Sequence, residues 1–178
     1  RRLLRVPFYL NYAVLLNELT EAGKELDEFP FREEIWRLAI AGRTRNLDRT
    51  FVFTDLVVKR ATEMALYVRV DKADFEVVEQ LESEHILVRE KDTNRFAPAH
   101  DIFEDWALVR HVRSTFQDHG LPADLFQHLG SAYAIRRGFR FWLQEEVQHD
   151  PAEVVRFAAH CIAGTVDQYW KDETFIVL

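Results

Sequence analysis

The stretch RFAPAHDIFEDWALVR, residues 95–110, decides the predicted fold because it joins two kinds of secondary structure. Its first four residues form a short strand-like run, and a His-Asp pair, His100–Asp101, follows. An amphipathic helix then begins, because four apolar residues fall on one helical stripe: Ile102, Trp106, Val109 and Phe116. Asp101 is predicted to be the N-cap of this helix, and Glu104, three residues later, completes a capping-box pattern.

Helices dominate the rest of the predicted secondary structure. Upstream they are predicted from Pro7 to about Leu19, from Pro30 to Gly42, and over about residues 50–69 and 74–84. A hairpin follows, in which the turn KDTN joins ILVRE to RFAP. Downstream, helices are predicted over about residues 125–129, 131–147 and 150–163, and from 165 or 167 onward, which together favour an antiparallel array. The order of helix, helix, helix, two-stranded wing and helix is that of a winged-helix domain.

Composition and charge limit the classes of protein to which the chain can belong. Of its 178 residues, 48% are hydrophobic and 30% charged, which is typical of a globular protein. No run approaches the ~20 apolar residues that cross a bilayer, so no membrane partner is expected. The single cysteine, Cys161, lies in an apolar helical stretch and cannot form an internal disulfide. It is predicted to be a buried, inert thiol. The lack of an internal disulfide is typical of a protein of the reducing cytoplasm.

The net charge of -7 is unevenly distributed along the chain. Residues 1–70 hold 12 basic and 10 acidic side chains, whereas residues 71–178 hold 11 basic and 20 acidic ones. This acidic second part disfavours a nucleic-acid surface there.

Two short segments resemble motifs of the STAND class of P-loop NTPases, which includes the NB-ARC and NACHT branches. The AHD segment and its helix resemble the MHD motif, with both His and Asp matching and Ala99 in place of Met. RVPFYL resembles the family's GLPLAL segment, in which Pro7 and Leu10 match and Arg5 replaces Gly. The two segments lie about ninety residues apart, and the resemblance covers roughly residues 1–118.

The resemblance implies a nucleotide switch. In that family the motif closes a winged-helix domain and its His reaches the phosphate of bound ADP, so it implies that His100 and Pro7 contact the nucleotide. Asp101 would support His100 by capping the helix. The ADP form would be inactive, and exchange to ATP with Mg²⁺ would permit oligomerisation in defence signalling, cell death or transcriptional control. The implied partners are further copies of the protein and its own NTPase core, which would lie N-terminal to Arg1.

Pattern and resemblance together predict a mainly α chain in three parts. Residues 1–28 would be a helical lid segment, residues 29–118 a winged-helix domain with a two-stranded β-wing, and residues 119–178 the start of a solenoid-like α-helical array. In that array Phe139, Trp142 and Leu143 are predicted to be core residues.

No catalytic residue is predicted in this chain alone. A P-loop needs G-x-x-x-x-G-K-[ST], but at the only Gly-Lys pair, Gly23–Lys24, Glu18 stands where the first Gly belongs. The chain should therefore neither hydrolyse nor hold a nucleotide by itself, whereas the full-length parent would be an ATPase. A metal site is also disfavoured, because no H-x-x-x-H pair or cysteine cluster is present.

Two other function classes stay open. A DNA-binding winged-helix regulator would insert its third helix into the major groove, but that helix, DFEVVEQLESE, has five acids and no Lys or Arg. A helical protein-interaction module without a nucleotide is the other class. Several charged groups are interpreted as solvated, namely Arg43, Arg45 and Arg49, then Glu104 and Asp105, and finally Arg136, Arg137 and Arg140.

Overall fold

The protein is mainly helical with a small antiparallel sheet, as shown by a computed structural model that describes residues 28–42 and 46–178. The chain forms two compact units, residues 1–50 and 51–178. The predicted boundaries after residues 28 and 118 stay predictions, and the helix that contains residue 118 ends at His119. None of the described helices combines the length and apolar character that crossing a membrane requires.

In the first unit, helix α1 (Glu28–Trp36) continues as a π-helical turn, Arg37–Ala41. Gly42 ends it with a left-handed φ of 68°, and its amide donates to the carbonyl of Arg37 at 3.1 Å. This confirms the helix predicted between Pro30 and Gly42. Glycine suits the position because a side chain at positive φ would be strained.

The side chain of Arg49, which lies in helix α2 (Asn46–Glu63), donates hydrogen bonds to the end of this π-helical turn. Its Nε donates to the carbonyl of Ile40 at 2.8 Å and its Nη2 to that of Ala39 at 3.1 Å. Only 4% of Arg49 is exposed, so its interpretation as part of a solvated basic cluster was wrong. Arg43 and Arg45 lie outside the described residues.

The second unit takes up α2 from Phe51 onward and continues to the end of the chain. Its further elements are β1 (Val68–Arg69), a 3₁₀ turn (Lys72–Asp74), α3 (Phe75–Ser83), β2 (Leu87–Arg89), β3 (Arg95–Pro98), α4 (Asp101–His119), α5 (Pro122–Leu129), α6 (Tyr133–His149), α7 (Pro151–Ala163) and α8 (Gln168–Val177).

The sheet contains the predicted hairpin and one strand more. Strands β2 and β3 pair antiparallel with Val88 opposite Ala97, and β1 pairs with the other edge of β3. The two-stranded prediction is therefore corrected to three strands in the order β1-β3-β2. The two residues of β1 were predicted to be the last residues of a helix that reaches residue 69. In the structure α2 already ends at Glu63.

Met64 explains why α2 ends early. It has a left-handed φ of 49°, which stops the helix and turns the chain toward β3. Met64 is 85% exposed, so it does not extend the buried face of α2. That face carries Phe53, Val57 and Ala61, which are buried.

Helix α4 is the central element of the second unit. The buried face of α4 is wider than the predicted apolar stripe, because Phe103, Leu108 and Val112 are buried in addition to Trp106 and Val109. Most of this burial is against α6, in which Phe139, Trp142 and Leu143 form core as predicted.

The starts of α6 and α7 test the helices predicted from residues 131 and 150. The N-cap of α6 is Ala132, so Ser131 does not begin that helix. The predicted start of α7 is confirmed, since the Asp150 carboxylate accepts from the amide of Glu153 at 2.9 Å. Cys161 in α7 is fully buried, and burial raises the pKa of its thiol to about 11, which makes it a poor nucleophile.

The approach of α4 to α6 depends on Gly138. A Cβ added there would lie 2.6 Å from Leu108 Cβ, well inside van der Waals contact. Gly138→Ala should therefore destabilise the fold by about 1–3 kcal/mol through overpacking, although alanine in a free helix is favoured over glycine by about 1 kcal/mol. Urea unfolding measures the difference.

Gln144→Ala is the matched control, because Gln144 is exposed on the same helix. It should change the free energy of unfolding by less than about 0.5 kcal/mol. A Gly138→Ala variant as stable as this control would contradict the close packing of α4 on α6.

Candidate functional site

The junction between β3 and α4 presents His100 at the surface. Upstream, the amide of Ala99 donates to the carbonyl of Ile86 at 2.9 Å, which fixes the end of the hairpin. Downstream, the carbonyl of His100 accepts from the amide of Phe103 at 3.1 Å, and the two rings lie 6.2 Å apart between centroids. The imidazole of His100 is thus exposed on a backbone that is anchored on both sides.

Asp101 does not have its predicted position. The helix begins at Asp101, and the N-cap residue is His100, with an extended φ of -138° and ψ of 134° and no side-chain hydrogen bond that caps the helix. The physical reason is that the hairpin holds the chain extended through Ala99, so helical dihedrals start only after His100. Asp101 is exposed in the first turn, where a carboxylate interacts favourably with the helix dipole.

Glu104 also departs from its predicted role. It is only 6% exposed and forms ion pairs with Arg60 of α2 and, at 3.6 Å, with Arg137 of α6. Arg60 additionally donates from Nε to the carbonyl of Leu66 at 3.0 Å. The capping-box and solvated interpretations of Glu104 were therefore wrong. From the first turn of α4, its carboxylate instead connects this helix to α2 and α6.

Asp105 also forms an ion pair with Arg137, but its negative charge is less completely balanced than that of Glu104. Its Oδ1 lies 2.8 Å from Arg137 Nη2. Burial nevertheless raises the pKa of Asp105, and the positive charge of Arg137 only partly opposes this. Asp105 is half-buried, so its interpretation as a solvated group was wrong as well.

The three arginines of α6 are engaged between helices and do not form a solvated face. Arg136 and Arg140 lie 3.4 and 2.8 Å from the carboxylate of Glu173 in α8, which is only 6% exposed. Arg137 binds Glu104 and Asp105 as described above. The prediction of a solvated basic face is corrected accordingly, and no anion site is inferred from these residues.

The remaining predicted site residue, Pro7, lies outside the described residues, so its proposed contact with adenine stays a prediction. Among residues 28–42 and 46–178, no three His, Cys, Asp or Glu side chains come together in a way that could hold a metal ion.

No protein-family model matches this chain, and no curated protein shows significant sequence similarity to it.

The Arg60–Glu104–Arg137 cluster was missed from the sequence, although one signal was present. Glu104 stands three residues before Ala107 and four before Leu108, and both of those are buried on the same helical face. An acid in such a position implies a buried counter-charge. The sequence does not show which arginine supplies it, because Arg60 and Arg137 are both more than thirty residues from Glu104.

Neutralising Glu104 should cost much more stability than neutralising Asp105. Glu104→Gln should cost about 3 kcal/mol, the low end for a broken buried pair because both arginines keep some contact with solvent. Asp105→Asn should stay within about 1 kcal/mol of the parent at neutral pH, since the fold already disfavours its charge. Urea unfolding of the two variants at several pH values measures both effects.

The pH dependence of the free energy of unfolding gives a second test for Asp105. Folding raises the pKa of Asp105 above its ordinary 3.8, so its ionisation costs stability at neutral pH, and this cost disappears as the pH falls through the raised pKa toward 3.8. Asp105→Asn should remove this contribution from the stability profile. Equal losses in Glu104→Gln and Asp105→Asn at pH 7 would contradict the assigned difference.

Proposed function

We propose that this chain is the winged-helix regulatory region of a STAND-like nucleotide switch protein, in which His100 contacts a phosphate of ADP. The observation that carries the proposal is the exposed imidazole of His100 on an anchored strand-to-helix junction, within a segment that resembles the family's motif. The ADP would be held by the NTPase core of the same protein, which is the proposed partner of this chain.

The element order supports the winged-helix part of the proposal. Among the described residues two helices precede β1, α3 lies between β1 and β2, and the hairpin of β2 and β3 forms the wing. Strand β3 lies between the other two strands, so the wing is continuous with a sheet that α3 packs against. In this arrangement the motif follows the second wing strand, which is where the family places it.

The surroundings of His100 support the sensor part. A histidine that reads a ligand on another domain must be exposed and held in a defined position, and His100 satisfies both conditions. The imidazole can donate a hydrogen bond to a phosphate oxygen, and such a bond is stronger when donor or acceptor is charged. Glu104, one turn later, links the same helix to α2 and α6 through its ion pairs. The helix that follows His100 is therefore held in place.

The proposed switch follows from these contacts. With ADP bound to the core, the hydrogen bond from His100 would hold the winged helix against the nucleotide and keep the protein inactive. Exchange to ATP with Mg²⁺ would release it and permit oligomerisation in the cytoplasm. This chain would supply no catalytic residue. Asp101 would act only indirectly, through its charge in the first turn of α4.

In the full-length parent, His100→Ala should weaken ADP binding by tenfold or more. A hydrogen bond to a charged group is worth about 1.5–3 kcal/mol, and 1.4 kcal/mol corresponds to a factor of ten. His100→Gln keeps a neutral donor and should recover part of the affinity. Isothermal titration calorimetry with ADP, together with spontaneous oligomerisation measured by light scattering, gives both readouts.

His149→Ala is the matched control, because it removes another exposed imidazole from the same unit. It should leave ADP affinity unchanged. Equal affinities for the parent and His100→Ala would make His100 a structural residue and remove the basis of the switch. The chain would then fit a helical interaction module without a nucleotide.

The DNA-binding alternative is disfavoured by the surface of α3. Its exposed side chains include Glu76 and Glu79, and Glu84 follows the helix. The wing residue Arg89 is engaged by carboxylates, since its guanidinium lies 2.6 Å from Glu82 and 3.7 Å from Glu79, so it offsets only part of this negative charge. Carboxylates in these positions would repel phosphates in a major groove.

The chain should therefore show no binding to duplex DNA at physiological salt in a fluorescence-anisotropy titration. Replacing Glu76, Glu79 and Glu84 by Lys should create measurable, salt-sensitive affinity, because each added cation can contact a phosphate. The same replacement of the exposed Asp118, Gln127 and Gln148, away from α3, is the control and should create less affinity. Binding by the unmodified chain at physiological salt would favour the DNA-binding class.

A further inference from the structure

A second exposed histidine, His85, lies at the same end of the hairpin as His100. The amide of Ala99, just after β3, donates to the carbonyl of Ile86, just before β2, at 2.9 Å, which continues the register of the two strands by one residue. The next pair in this register would be His85 and His100. The backbone of His100 is still extended, whereas the chain turns at His85, so the two histidines flank the end of the ladder.

The backbone of His85 is fixed by the end of α3. Its amide donates to the carbonyl of Glu82 at 3.0 Å, and the amide of Ile86 donates to that of Leu81 at 2.9 Å. These two bonds are those of a Schellman motif, in which His85, with a left-handed φ of 60°, has the position that glycine usually fills. The core does not require an imidazole there either, because His85 is exposed. The fold therefore does not account for a histidine at this position.

Two imidazoles at one end of a hairpin suit an anion that presents several oxygens. Residues opposite each other in an antiparallel pair have Cα atoms about 4.5–5.5 Å apart, which allows both side chains to reach one group. An imidazole donates a hydrogen bond and can take up a proton in the physiological range. The neighbouring carboxylates of Glu84 and Asp101 are exposed and would repel a phosphate. A second donor beside His100 would offset part of this repulsion.

We propose that His85 is a second phosphate contact of the site that contains His100, and that the two imidazoles bind one phosphate of ADP together. This inference rests on the proposed nucleotide switch, because the NTPase core supplies the ADP. One donor lies at the end of α3 and the other at the start of α4, so a bound phosphate would connect the two helices.

The first test is the proximity of the two positions, and it needs no nucleotide. In the 178-residue chain, His85→Cys combined with His100→Cys should form an internal disulfide under mild oxidation, because a disulfide needs Cα atoms about 4.4–6.8 Å apart. Asp92→Cys combined with His100→Cys is the control and should keep its thiols, since Asp92 lies in the turn at the other end of the hairpin. Thiol titration measures both. Native Cys161 should not interfere, since it is buried and its thiol pKa is about 11.

The second test is nucleotide binding by the full-length parent. His85→Gly should weaken ADP binding about three- to tenfold in calorimetry, the effect of one ordinary net hydrogen bond. Binding of adenosine, which has no phosphate, should not change. The urea midpoint of the 178-residue chain should also stay nearly the same, because the suitability of glycine for a φ of 60° offsets its greater freedom in the unfolded chain.

Asp92→Gly is the matched control for the binding experiment. Asp92 is also exposed and left-handed, with a φ of 58°, but it lies at the far end of the same hairpin. Its replacement by glycine changes the backbone in the same way and should leave ADP affinity unchanged.

The remaining outcomes would overturn the proposal, and they separate it from the proposed switch. If His100→Ala weakens ADP binding and His85→Gly does not, His85 is only a helix-end residue and the switch stands. If neither variant weakens ADP binding, the switch falls and the second contact falls with it. An equal loss of adenosine and ADP affinity in His85→Gly would show an effect on the core rather than a phosphate contact. Absence of the internal disulfide would show that the two positions are too far apart.

Discussion

The buried carboxylate of Glu104 is the constraint on which the second unit depends. A charge removed from water must be matched nearly completely, and Glu104 is matched by Arg60 from α2 and Arg137 from α6. Apolar packing alone would tolerate small shifts of one helix along another. A carboxylate that must reach two guanidinium groups does not, so this cluster fixes the register of three helices. Such a cluster contributes more to a single arrangement than to net stability.

The position of His100 follows from this constraint and from the hairpin together. Downstream, α4 cannot slide without separating Glu104 from its arginines. Upstream, the chain is held to the hairpin by the bond from Ala99 to Ile86. The junction is therefore fixed from both directions, although the imidazole itself is exposed. This double anchorage of the backbone is what the proposed role of His100 as a sensor would require.

Local signals in the sequence were sufficient for much of the fold, and non-local pairing explains the errors. The hairpin was predictable because the KDTN turn and its flanking strands are adjacent in the chain. The end of α2 was not, because Val68 continues a helical apolar pattern and becomes a strand only through pairing with Phe96. The α6 arginines were misjudged for the same reason, since Glu173, the partner of Arg136 and Arg140, lies more than thirty residues away.

The candidate site shows the same difference between local signals, which were predictable, and non-local contacts, which were not. The position of His100 after a strand and at a helix start was predictable, whereas the arginine partners of Glu104 and the loss of Asp101 as a cap were not. Both errors arise from treating the start of α4 as an isolated helix end. In an isolated helix Asp101 would be a good cap and Glu104 would be solvated. In the folded chain the hairpin determines where the helix begins, and the neighbouring helices determine what lies beneath it.

The distribution of charge also bears on how His100 could act in the proposed switch. The buried acids Glu104 and Glu173 are matched by arginines, so much of the excess negative charge lies at the surface, including the exposed glutamates of α3. A phosphate approaching such a surface meets repulsion rather than attraction. In the proposed switch, the separate core would therefore have to neutralise the phosphates. His100 would then contribute direction and discrimination through one hydrogen bond, which is the role of a sensor rather than of a primary binding site.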